Sequence, residues 1–173
     1  MISIFKKELN TFFSSLVGYI AIIVFLLICG FFLWIAPDSN ILDYGYASME
    51  KFFQMAPWVI LFLIPALTMR SFSDEYKAGT IEVLFTLPLK DRDIILGKFF
   101  ASTLIVIFAI FPTLLYVITL ASLSIIKNNI DGGAIVGSYI GLLFLCGAFT
   151  AIGLFASAIS NNQVIAFVIA IFI

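Results

Sequence analysis

No histidine occurs anywhere in this chain of 173 residues. That removes His-ligated zinc sites and the Ser–His and Cys–His dyads of hydrolases at one stroke. Charge is scarce as well: 11% of residues are Asp, Glu, Lys or Arg, and 63% are hydrophobic. A soluble domain carries roughly 25% charged residues, so this little charge cannot clothe a water-facing globule. Apolar surface turned to lipid removes the difficulty. The net charge of -1 supplies no basic field for nucleic acid. The 20 phenylalanines are not interleaved with Lys or Arg, so they do not form base-stacking platforms. Cys29 and Cys146 both lie inside apolar runs and read as small buried hydrophobes, not as a disulfide or metal pair. No G-x-x-x-x-G-K-[ST] run is present, which excludes nucleotide binding in the P-loop manner.

What is present is a series of hydrophobic segments long enough to cross a bilayer, about 20 residues for about 30 Å. The expected fold class is all-α: a polytopic membrane helix bundle with four complete spans and a truncated fifth. Residues 1–16 read as an amphipathic interfacial helix, with Ile2, Phe5, Leu9, Phe12 and Leu16 on one face and Ser3, Lys6, Lys7, Glu8 and Asn10 mostly elsewhere. Span 1 covers 17–36, too long for a signal-peptide core and without a small-residue cleavage site after it. Span 2 covers 55–69, with Pro57 near its start and Pro65 as an expected kink. Residues 70–98 form the most polar stretch, yet Phe72, Tyr76, Val83, Leu84 and Leu87 recur at helical spacing, so a helix stopped by Pro88 is expected there. Asp91 is the expected N-cap of the next helix, with Asp93 in its first turn. Span 3 covers 99–124 with a second expected kink at Pro112. Span 4 covers 134–159, where Gly137 and Gly141 form a small-xxx-small pair suited to close helix packing. Residues 164–173 start a fifth apolar helix that reaches about half the hydrocarbon thickness, and the chain is expected to lack the rest.

With the N-terminus inside, the cytoplasmic segments hold Lys6, Lys7, Arg70, Lys77, Lys90, Arg92 and Lys98, against Lys51 and Lys127 outside. This asymmetry predicts a cytoplasmic N-terminus and a cytoplasmic 70–98 stretch. No Asp, Glu, Lys or Arg lies within the interior of an expected span, which speaks against an intramembrane proton relay. If the chain does work, the energy comes from another chain, and the structured polar stretch is the handle for it.

The run from Arg70 to Leu89 resembles the type-2 ABC transporter permease family, whose pattern is an acidic residue, Gly-Thr, Glu, a hydrophobic pair and Pro. Glu75, Gly79, Thr80, Glu82 and Pro88 match in order, and Lys98 matches the lysine that opens the next span. By general likeness the chain is most similar to the members associated with gliding motility in Bacteroidetes-type bacteria. The resemblance implies six spans, a dimer with a second permease copy or paralogue, and a partner ABC ATPase that carries the ATP and Mg. It implies no cofactor, metal or catalytic residue in this chain, and a bacterial inner-membrane location. It also implies that the 70–98 stretch holds a coupling helix seated on the ATPase. Asp74, Glu75, Gly79, Thr80 and Glu82 are the coupling candidates: Gly79 permits close backbone approach, and Glu75 and Glu82, two turns apart on one face, offer anions to a partner's cations. The expected function is the membrane subunit of an ATP-driven exporter with alternating access. The rival readings are a scaffold that anchors an ATPase or motility complex without moving substrate, and a passive channel or receptor.

Overall fold

In the computed structural model, residues 1–37, 40–41, 48–82, 90–124 and 131–173 are described. Among them every regular element is helical, so the bundle class expected from hydropathy is the one observed. Helix α1 is Ile2–Phe13, α2 Leu16–Trp34, α3 Glu50–Thr68, α4 Arg70–Lys77 and α5 Asp91–Ile110. A 3-10 turn, Phe111–Thr113, leads into α6, Leu114–Leu123; α7 is Gly132–Ile159 and α8 Gln163–Phe172. Four stretches are long and apolar enough to cross a membrane: Leu16–Trp34, Glu50–Lys77, Asp91–Leu123 and Gly132–Ile159.

Each long helix buries one stripe and turns the other outward. In α2, Phe25, Cys29 and Leu33 recur every four residues and are buried, while Ile20, Leu27 and Phe31 are exposed. That is the pattern of a helix with one flank on a core and one in lipid. The α2 stripe packs with Phe52, Ile60 and Ile64 of α3 and with Val106 and Ala109 of α5. Both thiols sit in this core, unbridged.

The helix ends follow local chemistry. α3 begins about a turn before the expected start at Met55. Ser48 Oγ accepts from the Glu50 N–H at 3.1 Å, and Gln54 donates to Glu50 Oε1 at 3.0 Å. These polar pairs start the helix where hydropathy is silent, and they carry Phe52 into full burial. Asp131 accepts from the Ala134 N–H at 3.1 Å to cap α7, and Asn162 from the Val164 N–H at 2.9 Å to cap α8. At α5 the N-cap is Lys90, in extended conformation, and Asp91 lies inside the first turn beside Asp93. The expected cap at Asp91 is thus displaced by one residue. Pro57 and Pro65 both lie inside α3, which is not divided by them. At Pro112 the α-helix gives way to the 3-10 turn, where Thr113 Oγ1 donates to the Ile110 carbonyl at 2.6 Å.

Helix α1 departs from its expected face. Ile4, not on the expected stripe, is its buried residue; Ile2 and Leu16, assigned to that stripe, are 66% and 79% exposed. The cause is tertiary. Ile4 rests on Gly97 of α5, where a Cβ would approach it to 3.1 Å, and the same face delivers Glu8 inward. The expected stop at Pro88 and the helical residues Val83, Leu84 and Leu87 lie outside the described residues.

Candidate functional site

α3 ends at Thr68 and α4 begins at Arg70, with Met69 alone between them. A helix start leaves its first N–H groups without intrahelical acceptors. Here the acceptor comes from another span: Ser157 Oγ of α7 accepts from the Phe72 and Ser73 N–H groups at 3.0 and 3.2 Å and donates to the Met69 carbonyl at 2.9 Å. The Ser73 hydroxyl also donates to that carbonyl. One turn earlier on α7, Gly153 lies against Thr68; a Cβ there would come within 3.0 Å of Thr68 Cβ and closer still to its hydroxyl. Glycine is therefore required for this approach of α3 to α7. At the far end of α4, Gln163 of α8 donates to Asp74 Oδ1.

The other flank of α4 faces a buried ion network. Lys98 of α5 has a side chain 1% exposed. Its ammonium lies 2.7 Å from Glu8 Oε1 of α1, 3.1 Å from Glu75 Oε2 of α4 and 2.5 Å from the Ser71 carbonyl. It also stands 4.7 Å from the centroid of the Phe72 ring. Glu75 Oε1 in turn takes Lys7 Nζ at 2.8 Å. A buried ammonium survives desolvation only with its protons accepted and its charge matched, and Lys98 has both. Burial lowers the pKa of Lys7, but its hydrogen bond to Glu75 and the charges of Glu75 and Glu8 outweigh this and hold it above the ordinary lysine value. A raised lysine contributes stability below its unfolded pKa and loses it as pH climbs through the folded one. The Lys7–Glu75 bond thus persists through neutrality and loosens only in strong alkali.

The coupling candidates separate into two groups. Asp74 and Glu75 are half-buried and engaged by Gln163, Lys98 and Lys7. Gly79, Thr80 and Glu82 are exposed. The expected common face of Glu75 and Glu82 is not formed. Gly79 adopts φ 67°, left-handed backbone that ends the helix, and Gly79 and Thr80 donate back to the Tyr76 and Glu75 carbonyls at 3.1 and 3.0 Å. Gly137 and Gly141 have nothing within 4 Å of a built Cβ and stand on an open face of α7. Residues that sequence reasoning passed over are Glu8, Ser157 and Gln163. Their partners lie 90, 85 and 89 residues away, and no local pattern announces such pairs. Among the described residues no group of His, Cys, Asp or Glu is arranged to hold a metal.

This arrangement defines a multi-pass membrane protein in which a short polar helix at the end of one span is clamped to the others. The chain matches the model of the ABC-2 family transporter proteins over residues 2–173 and belongs to that family, a membrane component of transporters. Neither the curated proteins nor the solved structures contain a significant match.

Proposed function

We propose that this chain is the membrane-spanning subunit of an ATP-driven exporter, in which hydrolysis on a partner ABC ATPase drives alternating access. The observation that carries this reading is the clamp on α4. A helix that receives a push must be rigidly joined to what it moves, and α4 is bonded to α1, α5, α7 and α8. Its free end is the turn Tyr76–Thr80 with Glu82 beyond, all exposed. That turn is the surface for the ATPase, and Asp74 and Glu75 serve the clamp. Pro65, inside the continuous α3, and the 3-10 turn at Pro112 are the proposed bending points, and the open Gly137–Gly141 face of α7 is the proposed contact with a second permease copy or paralogue. The N-terminus and the turn lie on the cytoplasmic side of the inner membrane. The likeness to motility-associated permeases extends the proposal to export in support of surface gliding.

The test is Glu82→Lys in the protein co-expressed with its ATPase. Loss of ATPase co-purification and transport, with thermal stability unchanged, is the expected result. Undiminished binding and transport would remove the turn from the interface. A scaffold would bind the ATPase equally well but leave ATP-dependent export absent in reconstituted vesicles.

A further inference from the structure

A cavity of about 220 Å3 lies between α1, the start of α2, the α3–α4 elbow and α5. One wall is polar, with Arg70, Ser71 and Asp74 of α4; the other is apolar, with Phe12, Leu67 and Ile105. Four further charges border it or lie just behind it, and they are spent on one another: Glu8 on Lys98, and Glu75 on Lys98 and Lys7. Arg70 and Asp74 are not. Arg70 forms no ion pair among the described residues, and its Nε is buried without an acceptor, as is the neighbouring Ser71 hydroxyl. Among the described residues Asp74 meets the neutral amide of Gln163 and forms no ion pair. A buried donor without an acceptor costs free energy, and an Arg fork matches phosphate geometry. The cavity thus presents a cation and an anion that form no ion pair among the described residues, a helical turn apart, about 6 Å between their Cβ atoms.

We propose that this cavity binds the headgroup of a zwitterionic phospholipid, its phosphate on Arg70 and Ser71 and its primary ammonium on Asp74. An ethanolamine linker holds phosphate and ammonium two carbons apart, so one headgroup can engage two side chains that are neighbours on one helical face. The shared chemistry, a phosphate joined to a primary ammonium, also exists in soluble phosphoethanolamine. The lipid is favoured because half the wall is apolar, and because the lining includes the first residues of α2 and the last of α3, the ends of two apolar helices, where headgroups are expected. Arg70 and Asp74 together carry no net charge, which disfavours a purely anionic headgroup. This inference rests on the membrane-spanning fold and not on an ATPase partner.

The experiment is native mass spectrometry of the full-length chain, released from detergent after incubation with dioleoyl phosphatidylethanolamine, phosphatidylglycerol or phosphatidylcholine. Retention should favour phosphatidylethanolamine. Arg70→Gln and Asp74→Asn should each lower its affinity by about tenfold, the size of one lost charge-assisted hydrogen bond, while the exposed Arg92→Gln leaves it unchanged. Equal retention of the three lipids, or equal retention by wild type and both variants, would mean adventitious annular lipid only and overturn the site. Soluble phosphoethanolamine binding as tightly as the lipid would overturn the lipid assignment. Should a variant fail to fold, the ranking of the three lipids on the wild-type chain decides alone.

Discussion

Lys98 shows how much one side chain can organise when solvent is excluded. Its ammonium joins α5 to α1 through Glu8 and to α4 through Glu75. Replacing it with Met removes the cation and leaves two largely buried carboxylates, of which Glu75 alone keeps an ion pair, with Lys7. Breaking a buried pair in this way costs about 3–5 kcal/mol, so Lys98→Met should lower the thermal midpoint in detergent sharply. Adding Glu8→Gln and Glu75→Gln to Lys98→Met should recover part of the loss, since no uncompensated charge then stays buried. A triple variant no more stable than the single one would show that packing, not charge, holds this site. Lys98 itself was legible as a residue that opens a span and matches a family position. Its partners were not, because sequence periodicity reports which face a residue lies on and is silent about what arrives there from a distant segment. The inward turn of Glu8 follows from Ile4 seating on Gly97, a contact between residues with no pattern in common.

At the level of the elements, hydropathy anticipated the four long apolar helices found among the described residues, because burial in lipid writes itself into runs of apolar residues. The ends were harder. Glu50 and Gln54 precede the expected start of span 2 at residue 55 but stabilise the first turn of α3 through each other. The break at Gly79 was visible as a glycine but not as a helix end, since the flanking apolar spacing continues across it. The sharpest requirement among the elements is the contact of α3 with α7. Gly153→Ala should destabilise the protein, since its methyl would collide with the buried Thr68 side chain. Thr68→Ala should relieve part of that cost, because it removes the hydroxyl and methyl that meet the intruder. Thermal unfolding of the single and double variants measures the coupling, and additive effects would contradict the close approach.

For the molecule as a whole, the excess of Lys and Arg on one set of segments argues for a cytoplasmic N-terminus and α4. The native thiols, Cys29 and Cys146, are 0% and 1% exposed, so a single introduced thiol reports without background. Tyr76→Cys should resist an impermeant maleimide added to intact cells and react once the inner face is opened. Labelling from outside would reverse the topology and separate α4 from any ATPase. Of the whole, the membrane class and the region of the elbow were readable from composition and motif. The clamp was not, because it is made by five segments meeting at one depth.

The clamp also dictates an order of biogenesis. Lys7 and Glu75 can meet as soon as the second span has been threaded, but Glu8 acquires its counter-ion only when residue 98 has left the ribosome. Until then, among the described residues, the ion pair open to the N-terminal helix is that of Lys7 with Glu75, which is solvent-washed, since the Lys7 side chain is 56% exposed. Nascent chains halted before that lysine should leave their amino end open to proteases, and those halted well after it should not.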